Sequence, residues 1–173
     1  MPNISNVRIG AVSVKFGGVD LGHSKDGAEF EFTREFEDLI VDQYGSMPID
    51  MALTGQDVRI KVYLAEVTAS NLNVAVPEGD HDLGTTGERL GLGTDAGYLL
   101  RTDSKALILH PLKNTSADDS EDINIYKAVS VETLPLNYKI DEQRIVEVTF
   151  RALVDETNGN GRRLGHIGPV AIS

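Results

Sequence analysis

The chain's four histidines are the first place to look for chemistry, because imidazole binds metals and titrates near neutrality. His23, His81, His110 and His166 are far apart in the sequence, and none falls in an HExxH or paired-ligand spacing. They read as structural side chains. Asp80-His81-Asp82 lines up three polar groups, but three consecutive side chains cannot converge on one ion from an extended backbone without further ligands. Gly91-Leu92-Gly93-Thr94-Asp95-Ala96-Gly97 is glycine-rich like a phosphate cradle. Its spacing is not that of GxGxxG, and no Lys-Ser/Thr completes a P-loop. Asp155 to Gly161 has the small polar character of a calcium loop, yet the last position of a twelve-residue EF-hand needs an acidic residue and finds His166. Asn114-Thr115-Ser116 fits a glycosylation sequon, but no secretory signal gives it the opportunity to be used. With no cysteine there is no thiolate ligand, thiol nucleophile or disulfide. No GxSxG elbow presents a serine, and the carboxylates are too numerous for any acid-base pair to stand out. The expectation is a chain that is not an enzyme, with no catalytic residue, no cofactor and no metal.

What remains is surface and shape. The 173 residues suffice for one domain, spanning 1–173, with a real core and extended arms. Sixteen Lys and Arg against 27 Asp and Glu give a net charge of −11, which excludes a chain-wide attraction to nucleic acid or anionic lipid and makes contact with DNA repulsive. The absence of tryptophan and 6% aromatic content argue against a stacking platform for bases or sugars. No run approaches the roughly 18 apolar residues of a membrane span, and the start MPNISNVRIG has no basic stretch followed by an apolar one. The reading is a soluble chain made in cytoplasm, without a membrane partner.

The apolar periodicity is mostly two, so the elements that position these surfaces are strands. Val7 to Phe16 reads as a strand, the pair Gly17-Gly18 as a tight turn, and Val19 to Leu21 as a short return. From Ala28 to Asp42 the alternation is regular. Phe30, Phe32 and Phe36 share one face with Arg34, and Glu29, Glu31, Glu35 and Glu37 share the other with Thr33. The phenylalanine face is expected to be buried. Leu39 and Val41 resume in opposite phase, which places a bulge near Glu37 to Asp38. Gln43 to Gln56 contains Gly45, Pro48 and Gly55, breaks both periodicities, and reads as a long inter-strand loop. Asp57 to Leu64 alternates cleanly, and antiparallel pairing with the preceding strand would set Arg59 and Lys61 against the glutamates. Ala65, Ala69, Leu72 and Val76 form a helical stripe that Pro77 closes. Glu78 to Thr102 reads as a long loop or loose hairpin, Lys105 to His110 as a strand, and Asn114 to Asp122 as a solvated acidic loop. Ile123 to Leu134, Leu136 to Lys139 and Gln143 to Val154 are further strands. Residues 155–173 are glycine-rich, end apolar, and read as a C-terminal arm. The pattern predicts a mainly β fold.

Gly17-Gly18-Val19-Asp20-Leu21-Gly22-His23-Ser24-Lys25-Asp26-Gly27, Phe30-Glu31-Phe32, Val41-Asp42-Gln43-Tyr44-Gly45-Ser46-Met47-Pro48-Ile49-Asp50 and Leu53-Thr54-Gly55 together resemble the tail tube (major tail) proteins of long-tailed bacteriophages. The resemblance covers roughly residues 5 to 76 and is one of segment order rather than of a chemical motif. It implies a β-sandwich or barrel of two packed antiparallel sheets with one short flanking α-helix. The subunit would assemble as a six-fold ring, and rings would stack into a hollow tube through which DNA passes without specific binding. The implied partners are further copies of the chain and other tail proteins: tape measure, terminator, and baseplate or tip. The implied location is the virion, after assembly in the host bacterial cytoplasm.

Three expectations follow. Glu29, Glu31, Glu35 and Glu37 line the channel, where a negative wall repels phosphates. Gln43, Tyr44, Met47, Ile49, Met51 and Leu53 make inter-subunit contacts, being too apolar for a solvated loop. Leu164, Ile167, Val170 and Ile172 pack on a neighbour, since an arm with so many glycines is not expected to reach the subunit's own core. The alternatives are a neck, adaptor or terminator ring protein of the same virion, a ligand-binding β-barrel, and an unrecognised hydrolase.

Overall fold

The computed structural model describes residues 10–84, 87–131, 134–136, 143–159 and 161–169. The fold is mainly β and β-sandwich-like, with two antiparallel sheets and one short helix. Ten strands follow in order: β1 (Val12–Phe16), β2 (Val19–Asp20), β3 (Ser24–Ile40), β4 (Pro48–Leu64), β5 (His81–Gly84), β6 (Gly87–Leu90), β7 (Lys105–Pro111), β8 (Ile123–Ser130), β9 (Val146–Ala152) and β10 (Gly165–Ile167). The helix α1 (Ala69–Ala75) lies between β4 and β5. The large sheet runs β2-β1-β7-β8-β9-β4-β3, with β10 also on β8, and β5 and β6 form a separate two-stranded sheet.

The large sheet folds over on itself at β8. Ile123 to Ile125 pair with β10, whereas Ala128 to Ser130 pair with β9, so β8 belongs to both layers. The layers meet through their apolar faces. Phe16 of β1 and Phe150 of β9 are not on neighbouring strands, yet their rings are 5.2 Å apart. At the far side the curl brings β3 back to β1, and Ser24 Oγ donates to the Val12 carbonyl at 3.4 Å. Val14, Leu21, Ile60, Val62, Leu64, Leu107, Val146 and Val148 are buried in one cluster between the layers.

Helix α1 is shorter than the apolar stripe from Ala65 suggested, because Thr68 caps it. The Thr68 Oγ1 accepts from the Asn71 backbone N–H at 3.2 Å, satisfying a first-turn donor. Asn71, itself buried, donates to the carbonyls of Leu21 (3.1 Å) and Glu66 (2.8 Å). Leu72, Val74 and Val76 then pack on the core. The expected loop over 78–102 contains the β5–β6 hairpin and a 3-10 turn at Leu100–Asp103.

The main correction concerns residues 43–56. They are not a loop: a 3-10 turn at Asp42–Tyr44 is followed directly by β4, which begins at Pro48. β3 and β4 are each 17 residues long and pair along nearly their whole length, from Ser24↔Leu64 to Ile40↔Pro48. At about 3.3 Å per residue this ribbon runs about 55 Å. The bulges also lie elsewhere. Glu35↔Gly55 followed by Phe36↔Leu53 leaves Thr54 unpaired, and Leu39↔Asp50 followed by Ile40↔Pro48 leaves Ile49 unpaired, both on β4. A third irregularity, Ser24↔Leu64 followed by Ala28↔Val62, puts extra residues on β3, and none lies at Glu37 to Asp38. The bulge at Thr54 sets the register that puts Leu53 opposite Phe36 and Met51 opposite Asp38, and so turns both onto the phenylalanine face.

Candidate functional site

β4 is bonded on both sides only over Arg59 to Leu64, where β9 lies along it. Beyond Val58 the β3–β4 ribbon leaves the body as two strands. Its exit is held by charge. Asp57 accepts from Arg151 Nε of β9 at 2.6 Å and from Arg59 Nε at 3.0 Å, and so separates two arginines that the β4–β9 register sets side by side. Burial pushes the Asp57 carboxyl up, but the hydrogen bonds and charges of Arg151 and Arg59 outweigh it and hold it below the usual carboxylate range. Lys61 reaches Glu147 of β9 at 2.9 Å.

The two faces of the ribbon differ in chemistry. Cross-strand partners share a face, so Phe30/Ile60, Phe32/Val58, Arg34/Gln56, Phe36/Leu53 and Asp38/Met51 form one face. Glu29/Lys61, Glu31/Arg59, Thr33/Asp57, Glu35/Gly55 and Glu37/Ala52 form the other. All four glutamates are exposed in one row. The inner two face cations; the outer two face residues without charge. A Cβ at Gly55 would lie 2.8 Å from Glu35 Oε2, the far end of an exposed side chain that can swing aside. On the apolar face the Arg34 guanidinium sits over the rings of Phe32 and Phe36, 5.9 and 5.7 Å from their centroids.

The expectation that the phenylalanine face is buried fails within the subunit. Only its root is covered: Ile60 and Val58 are 1% and 4% exposed, whereas Phe36 and Leu53 are 49% and 50% exposed. Tyr44, Met47, Ile49 and Met51 are all exposed at or near the tip, and Gln43 lies exposed in the turn. At the root the open edge of the sandwich forms a cleft of about 250 Å³. Phe30, Phe32 and Val58 make one wall; Ile123, Ile125 and Ile167 make the other, with Arg163 at the rim.

The C-terminal segment also departs from expectation. Leu164 packs against the subunit's own core and Gly165–Ile167 pair with β8, because the glycine at 165 lies against the β8 backbone, where a Cβ would run into the Asn124 carbonyl oxygen. Ile167 is exposed. Val170 and Ile172 lie outside the described residues.

The histidines have local partners. His110 Nδ1 is 2.7 Å from Asp122 Oδ1, Tyr126 Oη is 2.9 Å from His166 Nδ1, and His23 and His81 lie near Glu66 and Glu88. Asp82 pairs with Arg89. Asp155, in the segment first weighed as a calcium loop, is held by Lys127 at 3.1 Å and by Thr157 and Asn158. The Lys127 and Thr157 hydrogen bonds keep its carboxyl below the usual range. Among the described residues no cluster of three or more metal-binding side chains occurs, and no helix is long and apolar enough to cross a membrane.

The cleft and the Asp57 clamp were missed in the sequence, but the ribbon had a signal. A strand of fifteen residues from Ala28 to Asp42 needs a partner of equal length for its backbone groups, and Asp57 to Leu64 supplies only eight residues. A scan against protein-family models finds no match, and a search of curated proteins finds none either.

Proposed function

We propose that the chain is a structural virion subunit that self-assembles into rings stacked as a hollow tail tube, through which phage DNA passes. One observation carries the reading. A two-stranded ribbon projects from a well-packed body and exposes Phe36, Leu39, Ile40, Tyr44, Met47, Ile49, Met51 and Leu53 in the isolated subunit. An isolated hairpin is marginal in water, and a long open edge with apolar side chains invites further pairing. Such a feature makes sense when neighbours cover it. The acidic row on the opposite face suits a channel wall, since it repels phosphate instead of retaining it.

Negative-stain microscopy of the purified chain tests the proposal. Tubes of stacked rings are expected, single rings would favour the neck, adaptor or terminator reading, and monomers at every concentration would sink both.

A further inference from the structure

We propose that the cleft at the root of the ribbon receives the ribbon tip of a second copy, so that each subunit offers a plug and a socket at opposite ends of one hairpin. The inference rests on the assembly reading above and names the surface that accepts the tip.

The socket is an apolar opening continuous with the core. Phe30, Phe32, Val58, Ile123, Ile125 and Ile167 line it, and Phe32 and Ile167 are left 46% and 66% exposed. Its volume of about 250 Å³ has room for a few inserted side chains. Tyr44, Met47, Ile49 and Met51 at the tip are side chains of that kind, with the unbranched methionines able to adapt to an irregular opening.

The ribbon's own tip cannot reach the socket. Pairing continues from Phe32↔Val58 to Ile40↔Pro48, so about eight residues of extended β3, roughly 26 Å at 3.3 Å each, separate the root from the start of the tip turn. The occupant is therefore another molecule. Charge selects the same pairing. From residue 38 to 53 the tip carries Asp38, Asp42 and Asp50 and no Lys or Arg. The socket rim carries the exposed Arg163, for which no ion pair is found among the described residues, preceded by Arg162. Plug and socket are different surfaces, so the contact can run head-to-tail from copy to copy and build a ring or a stack.

The chain has no cysteine, which permits a direct test by disulfide trapping. Met47→Cys and Ile167→Cys variants are purified separately, mixed and oxidised, with the double variant run alongside. The expected result is a covalent heterodimer in at least tenfold excess over either like-with-like dimer, and a ladder from the double variant. Predominant Met47→Cys homodimers would overturn the proposal by showing that tips meet tips. No trapping while the wild type forms tubes would overturn the socket and leave the assembly reading standing. No trapping with no wild-type assembly would overturn both. As a second measurement, Arg163→Glu should reduce assembly at least tenfold with unchanged circular dichroism, and Asp42→Lys/Asp50→Lys should restore it. Failure of that rescue would remove the charge pairing.

Discussion

β4 is one unbroken strand with two halves that differ in almost every physical respect. From Asp57 to Leu64 every second side chain, Val58, Ile60, Val62 and Leu64, is buried, and from Arg59 onward the strand lies between β3 and β9. From Pro48 to Gln56 it has β3 alone, carries two bulges, and buries nothing completely. The inner half is a piece of a domain core; the outer half has the composition of a core without the core around it. Backbone pairing alone therefore does not decide what a strand is for. Most side chains of the outer half are exposed in the subunit, and the assembly proposed above would give them a role between subunits.

The sharpest way to break this comparison is to remove the outer half. Glu37 and Ala52 face each other, so replacing residues 38–51 by Asn-Gly closes the hairpin with a two-residue turn. The monomer should keep its circular dichroism and its denaturation midpoint, while tubes disappear completely from micrographs. Normal tubes from this variant would remove the ribbon tip from assembly, and an unfolded monomer would make the outer half part of the fold.

Next in size is a paired truncation on the one strand. Ile60→Ala should cost about 2–5 kcal/mol, the transfer and cavity cost of a buried aliphatic side chain. Met51→Ala should change monomer stability by no more than about 0.5 kcal/mol and weaken assembly instead. Urea melts at concentrations below assembly measure both, and equal costs would erase the distinction between the halves.

How much of this was legible in the sequence follows the same division. Asp57 to Leu64 and Val146 to Ala152 announced themselves by alternation, because a strand with one buried face must alternate. The glutamate row of β3 was legible from the same alternation, although the phenylalanine face opposite it is exposed in the subunit. The stretch from Gln43 to Gln56 was not: no core imposes a period there, the bulges at Ile49 and Thr54 shift the phase twice, and Pro48 and Gly55 look like loop residues. Pro48 in fact begins β4, where a missing donor costs little, and Gly55 is a strand residue paired with Glu35. Leu164 was misassigned because the glycine at 165 looked like arm flexibility when it serves close packing on β8. The cleft, built from residues more than 100 positions apart such as Phe32 and Ile167, leaves no local trace.

The Asp57 clamp lies at the border of the two halves and should have a smaller, pH-dependent effect. Because the folded carboxyl is held below its unfolded value of about 3.9, its contribution is present above that value and is lost as the pH falls through the folded one. Asp57→Asn should therefore lower monomer stability by roughly 0.5–1 kcal/mol at pH 7, the screened value of a partly exposed ion-pair network. The gap to wild type should begin to narrow below about pH 5 and go on narrowing as the pH falls through the folded value. A gap that stays constant with pH would mean that Asp57 acts through packing and not through its charge.

The smallest effect on the fold, and the most specific for the proposed channel, belongs to Glu35 and Glu37. Glu29 and Glu31 face Lys61 and Arg59 in the β3–β4 register, whereas Glu35 and Glu37 face Gly55 and Ala52, so the outer glutamates project charge with no cross-strand cation opposite. Changing both to Lys alters the subunit by 2 × 2 = +4, or 6 × 4 = +24 in a ring of six, while monomer stability should shift by no more than about 0.5 kcal/mol. If this row lines the lumen, tubes of the variant gain phosphate contacts and retain DNA, and each contact releases counterions, so retention falls steeply as salt rises. Genome ejection from particles carrying the variant should stall at low salt and recover at high salt, with microscopy confirming that tails formed. Unchanged ejection at low salt from normally assembled tails would place the glutamates on an outer surface, and the ribbon's acidic face would then be an ordinary solvated one.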